Sequence, residues 1–257
     1  MDSGSDSATE GGGYEKLVKM PGVATDIGIG ADGSVWIIGT NNLGTAGFQI
    51  YNWDGSSWIA NWGSGVRISV DPTGIPWIVN ATGEVWRHSN NDPLSGSWIL
   101  VPGTVSDIGI GGNGDVWAIA INGWVVKWNG YDWDTCNGVG VRIAVEEDGR
   151  PWVVDSTGAI YRHSNNLADS GTWELLPGAA TDIGVGPASD SISHFAWSVG
   201  AISNGMLDLS AWDEQAAVWC SMEGPPAVGD SYPAVAVDPN GQPWIVDRFG
   251  GVWTTSN

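Results

Sequence analysis

The sequence predicts an all-β fold, a six-bladed β-propeller, and three observations carry that expectation. A polar turn followed by Trp recurs six times, as GADGSVW at Trp36, PTGIPW at Trp77, GNGDVW at Trp117, EDGRPW at Trp152, ASDSISHFAW at Trp197 and PNGQPW at Trp244. The spacings of 41, 40, 35, 45 and 47 residues match one four-stranded blade and are too long for a leucine-rich or helical repeat. Between the turns apolar residues alternate with period two, and no segment has the 3.6-residue period of an amphipathic helix.

Taken in order, residues 1–13 (MDSGSDSATEGGG) read as a disordered acidic tail, because nothing apolar there offsets the entropy of ordering. Tyr14 to Gly22 (YEKLVKMPG) resembles the ends of the second and fourth repeats, SWILVPG and TWELLPG. The chain stops at GVWTTSN, where such a segment would be due, so residues 14–21 are expected to supply the outer strand of blade six and close the ring. In blade one, TDIGIG (Thr25 to Gly30) is the innermost strand, Val35 to Gly39 the second, Gln49 to Trp53 the third and Trp58 to Trp62 the fourth. Turns rich in Gly, Asn and Asp separate them. The blades are expected at 22–63, 64–103, 104–138, 139–178, 179–226, and 227–257 plus 14–21. Six such units must stack before any buries a core, so residues 14–257 are one domain.

A three-fold pattern underlies the six-fold one. Odd repeats open with TDIGIG, SDIGIG and TDIGVG, and even repeats carry Pro76, Pro151 or Pro243 before the Trp. Aligning the inner strands puts Asp26, Arg67, Asp107, Arg142, Asp182 and Ala234 at one equivalent position, a ring of alternating charge broken once.

Composition excludes several functions. The formal net charge is −20, with 9 Lys and Arg against 29 Asp and Glu, which argues against nucleic acid and anionic membrane surfaces as partners. No apolar run approaches the ~20 residues of a membrane helix, and the first residues lack a secretory signal, so the expectation is a soluble protein, cytoplasmic or non-classically secreted. Cys136 and Cys220 fall in blades three and five, which are not neighbours, and are expected to be free thiols. His88, His163 and His194 are on separate blades and make no metal set. No nucleophile triad, phosphate loop or carboxylate pair beside clustered Arg is visible, so no enzyme and no cofactor are expected.

The combination DIGxG, DGxVW or DGxPW, and GAIYR (Gly158 to Arg162) followed by WxxxPG resembles the tectonin-repeat lectins, which include slime-mould and fungal tectonins, tachylectin and fish-egg lectins. The resemblance covers residues 14–257 and is weakest in blade five, with its ASDSISHF insertion. It implies a six-bladed propeller with glycan sites recurring around the ring, for O-methylated sugars in some members and bacterial lipopolysaccharide in others, acting in defence.

Three sets of residues are candidates for carbohydrate binding. The repeated Trp36, Trp77, Trp117, Trp152 and Trp244 offer faces for pyranose stacking, although a Trp at one position in every blade also serves as a plug between blades. Asp26, Arg67, Asp107, Arg142 and Asp182 offer charged hydrogen bonds to hydroxyls, or else pair with each other to hold the blades in register. On the turns between second and third strands Asn80, Asp155 and Asp247, with Asn122 and Asn204, offer short polar groups that such turns also select for backbone reasons. The expectation is a multivalent, non-catalytic lectin for glycans on cell surfaces; the alternative is a protein-interaction scaffold. The sequence leaves open which sugar is bound, and whether the chain forms a homo-oligomer.

Overall fold

The computed structural model describes residues 16–186, 195–226 and 232–256. The expected tail at 1–13 and the ASDSISH part of the blade-five insertion, with His194, lie outside the described residues. Among those described, no helix is long and apolar enough to cross a membrane.

Among the described residues all regular structure is β. The first strand, β1 (Leu17–Val23), precedes the first repeat, which contributes β2 (Asp26–Ile29), β3 (Val35–Asn42), β4 (Phe48–Trp53) and β5 (Trp58–Gly65). The second contributes β6 (Arg67–Val70), β7 (Pro76–Val79), β8 (Glu84–His88) and the start of β9 (Trp98–Ile110). The third runs from the end of β9 through β10 (Val116–Ala120), β11 (Trp124–Trp128) and β12 (Trp133–Val139). The fourth has β13 (Arg142–Val145), β14 (Pro151–Val154), β15 (Ile160–His163) and β16 (Trp173–Leu176). The fifth has β17 (Asp182–Val185), β18 (Ala196–Ser203), β19 (Met206–Asp213) and β20 (Val218–Pro226), and the sixth β21 (Ala234–Val237), β22 (Pro243–Val246) and β23 (Gly251–Thr255). Within each repeat the strands form an antiparallel meander, and β1 pairs antiparallel with β23. The outer strand of the last sheet therefore comes from the start of the chain.

Among the described residues the strands form five sheets, four of four strands and one of seven. The seven-stranded sheet arises because β9 is continuous across the expected boundary at 103/104. It pairs with β8 through Glu84↔Thr104 and with β10 through Ala120↔Val105, with a register shift in each ladder where the strand passes from one repeat to the next. Each inner strand packs against the next around a ring, β2, β6, β9, β13, β17 and β21, and β21 packs against β2. The architecture is all-β and propeller-like.

The core is a set of layers between successive repeats. Trp36, Ile38 and Ile50 of the first pack on Ile68, Val70 and Ile78 of the second. Trp117, Ile119 and Val125 of the third meet Ile143, Val145 and Val153 of the fourth, and Trp244, Val246 and Val252 of the sixth meet Ile27, Val35 and Ile37 of the first. Two sets of glycines permit this. In the odd inner strands a Cβ on Gly28, Gly109 or Gly184 would sit 3.1, 3.1 or 2.7 Å from a backbone oxygen of the neighbouring inner strand. The DIG pattern thus marks where two backbones approach so closely that a side chain would crowd the neighbouring strand, most severely at Gly184. In the turns before the repeated Trp, Gly33, Gly74, Gly114, Gly149 and Gly241 have φ between 80° and 90°, a conformation other residues adopt at a cost.

Candidate functional site

The charged ring is confirmed as one structural position. Asp26, Arg67, Asp107, Arg142, Asp182 and Ala234 pair with Ile38, Val79, Ile119, Val154, Val199 and Val246, the same step of each repeat's first ladder. Together they line a cavity of about 50 Å³ ringed by the inner strands. Each Asp reaches into the following repeat. Asp26 Oδ2 accepts from the Ile68 N–H at 2.8 Å, Asp107 Oδ2 from Ile143 at 2.9 Å and Asp182 Oδ2 from Val235 at 3.0 Å. Each Arg then faces the next Asp, with Arg67 Nε 3.5 Å from Asp107 Oδ1 and Arg142 Nε 3.5 Å from Asp182 Oδ1. The Arg67 and Arg142 Nη1 groups donate to the carbonyls of the preceding Val66 and Val141. Burial dominates the electrostatics of the carboxylates: it pushes Asp26 up to about 6, Asp182 up to about 7, and Asp107 upward, against the pull of the Arg charges. These groups are occupied in fastening one inner strand to the next.

The repeated Trp are sealed between repeats. Trp36, Trp117 and Trp152 are 0% exposed, Trp77 7% and Trp244 9%, so none presents a ring face on which a sugar stacks in this structure. The indole N–H groups of Trp36 and Trp117 cross to the next repeat and donate to Gly74 O at 3.1 Å and Gly149 O at 3.0 Å. Trp152 bonds instead to the buried Glu146 carboxylate at 2.5 Å.

The turn residues are likewise consumed. Asn80 Oδ1 accepts from the N–H groups of Thr82 and Glu84 and from the Thr82 hydroxyl, while its amide donates to Glu84. Asp155 does the same with Thr157 and Ala159, and the accepted bonds, opposed by what burial there is, hold its carboxyl below the usual range. Asp247 takes the Phe249 and Gly251 N–H groups on one oxygen and the Trp253 indole on the other. Asn122 accepts from Trp124 N–H, and Asn204 takes a positive φ of 53°. His88 and His163 donate from Nδ1 to the carbonyls of Asn90 and Asn165, fixing the long turns of the second and fourth repeats. Among the described residues no three His, Cys, Asp or Glu side chains gather to hold a metal ion.

Sequence reasoning passed over the residues that face each repeated Trp across the ladder. In the third strands these are Asn52, Arg87, Lys127, Arg162, Ala211 and Thr254. Three are cations lying over the neighbouring indole, Arg87 on Trp77 at 5.6 Å, Lys127 on Trp117 at 5.4 Å and Arg162 on Trp152 at 5.4 Å. The signal was available in GEVWR, WVVKW and GAIYR, each placing a cation at one step of the third strand.

Around Lys127 a cleft opens between the third and fourth repeats. It has a volume of about 720 Å³, with Asp115, Lys127, Trp128, Asn129 and Asp134 on one wall and Leu167, Ala168 and Asp169 of the long turn on the other. Lys127 Nζ is 3.0 Å from Asp115 Oδ2 and donates to Asn166 O at 2.6 Å, and Asn166 donates back to Asp115 Oδ2 at 3.1 Å. The long turn is thereby docked on the preceding repeat. Trp128 is half-buried, tilted 55° against Trp133 at 5.2 Å, and borders the cleft. An open groove with one aromatic wall, one fixed ammonium and several carboxylate and amide groups can hold a polyhydroxylated ring by stacking and by hydrogen bonds in both directions. The corresponding position between the first two repeats is Asn52, whose amide is spent on Val35 O, so the clefts are not copies of one another.

Comparison with known proteins follows the same lines. The family profile described as the tectonin domain matches residues 4–183. Tectonin-1 of Physarum polycephalum is 35% identical over 72 residues, 27% of this chain and 33% of that protein, so the alignment spans about a third of the relative's length. Among solved structures, a chain of the mitotic checkpoint complex superposes with a TM-score of 0.64 at 10% identity, covering 99% of this chain and 98% of that one. The WD40 repeats of RRP9 give 0.63 at 7% identity over 94% and 97%, and YCF48 bound to a D1 peptide gives 0.55 at 15% over 91% and 77%. At these identities the structural likeness speaks for the fold alone.

Proposed function

The chain belongs to the tectonin family, and from that premise we propose that it is a carbohydrate-binding lectin without catalytic activity. The seven-stranded sheet is read as two blades sharing β9, which gives six blades over residues 14–257 and six clefts between neighbours. The observation that carries the reading is the cleft between the third and fourth repeats, where Trp128, Lys127 and Asp169 line one open groove of sugar size. Further clefts between repeats, differing in their residues, would add avidity on a surface dense in glycans. O-methylated sugars and bacterial lipopolysaccharide are the first ligands to test, and defence is the role such binding serves.

The experiment is a glycan array followed by calorimetry of the best ligand. Lys127→Met and Asp169→Ala should each reduce the number of sites per chain, or weaken one class of site ~10-fold, with the melting temperature held within a few degrees. Unchanged stoichiometry and affinity in both would remove this cleft. An array without hits would move the assignment to a protein-interaction scaffold, a reading that the 90% exposed Trp62 and 85% exposed Tyr131 on outer edges favour.

A further inference from the structure

The ring of paired charges follows a rule that is broken in one place. An Arg at the head of an even inner strand faces the Asp at the head of the next odd one, with the same 3.5 Å separation in both instances. Applied to the sixth repeat, the rule requires a cation at position 234 facing Asp26. The residue there is Ala234, and among the described residues Asp26 is in no ion pair. The cation with the largest effect on Asp26 is Arg67, which is already in an ion pair with Asp107, so one guanidinium serves two carboxylates there. All nine Lys and Arg of the chain are described, and neither Lys16, Lys19 nor Arg248 forms an ion pair with Asp26. Ala234, Pro233 and Asp26 all border the 50 Å³ cavity, which exceeds the ~10–15 Å³ that one water occupies.

We propose that this cavity is a binding site for one guanidinium group, seated where Ala234 leaves the ring without its third Arg. The two intact copies indicate the contacts. In them a guanidinium nitrogen faces the carboxylate of the next Asp, and another donates to the carbonyl of the residue just before the strand. At the vacant copy these partners are Asp26 and the Pro233 carbonyl. The planar fork suits them better than an ammonium, because it serves two acceptors lying in different directions. The neighbouring charges agree in sign. The ring sums to three carboxylates, Asp26, Asp107 and Asp182, against Arg67 and Arg142, so one added cation brings it to neutrality. Burial lifts Asp26 to about 6 and Asp182 to about 7, so that charge sum applies above about pH 7. The group has two sources, a free guanidino compound or an arginine side chain reaching in from a partner, and the test separates them.

The test is thermal unfolding of the full chain at pH 7.5 with guanidinium chloride from 0.5 to 20 mM, against sodium chloride at matched ionic strength. Wild type should gain about 2–4 °C at a concentration near five times Kd, because the ligand binds only the folded form. Ala234→Arg should be more thermostable than wild type and should lose the response, its own guanidinium filling the seat. Asp26→Asn should lose the response as well, which keeps the test decisive should the Arg variant not fold. Replacing the ion by N-acetylarginine methylamide distinguishes the sources. A response to both indicates that a side chain can enter, and a response to guanidinium alone indicates a free ligand. A wild type that responds no more than to sodium, or a response equal in wild type and Asp26→Asn, would overturn the proposal. Glycan binding by the cleft is measured separately and is unaffected by either result.

Discussion

Replacing Asp182 by Asn should make the protein less sensitive to pH in a direction and amount that its surroundings dictate. Asp182 is 9% exposed, its Oδ2 accepts the Val235 N–H, and Arg142, Asp107 and Asp26 are the charges that face it. Burial outweighs Arg142 and lifts the carboxyl from its ordinary 3.8 to about 7. Below pH ~4 both folded and unfolded chains hold the proton, and the group takes nothing from stability. Between about 4 and 7 the unfolded chain releases it while the folded chain retains it, so stability falls as pH rises at up to ~1.4 kcal/mol per unit. Over the window this amounts to roughly 2–4 kcal/mol. Asn keeps an oxygen for the Val235 N–H and has no proton to lose. The assay is urea unfolding followed by Trp fluorescence at pH 4.5, 5.5, 6.5 and 7.5, taken as the difference between variant and wild type so that all other groups cancel. The variant should gain on wild type progressively with pH. A flat difference, or one of opposite slope, would refute the argument that desolvation rules the ring.

Other outcomes follow from the same structure. Removal of residues 1–12 should leave the melting temperature unchanged, whereas removal of 1–21 deletes most of β1, bares the edge of β23 and should lower it sharply and promote aggregation. Trp117→Phe should cost about 2–4 kcal/mol in urea unfolding, since it empties part of a sealed site and orphans the Gly149 carbonyl; Trp62→Phe, on a ring 90% exposed, should stay within ~0.5 kcal/mol. Thiol titration of the denatured, unreduced chain should count two thiols. In the native protein Cys136 should react much more slowly than Cys220, being 1% exposed with its thiol pushed up by burial.

The sequence by itself determined the repeat, the strand order and the place of the segment before the first repeat, because each of these is written in local patterns. A turn needs Gly at one φ, a half-buried strand needs alternation, and a missing strand at one end finds its copy at the other. It also determined that Asp26, Arg67, Asp107, Arg142, Asp182 and Ala234 are one position, since aligning the inner strands on their Ile and Val puts all six at an equal step on the ladder. What those residues do was decided only by the tertiary structure. Whether an Asp meets a sugar hydroxyl or the backbone N–H of the next repeat depends on how closely two inner strands approach. That distance is set by Gly28, Gly109 and Gly184 against strands some 40 residues further on. The same holds for Trp36 and Trp117, whose aromatic faces look alike in the sequence whether open or sealed; burial is a property of the neighbouring repeat. The cleft at Lys127 needed the structure most, because its two walls come from a third strand and a turn 39 residues away, and only packing brings the Asn166 carbonyl within 2.6 Å of that ammonium.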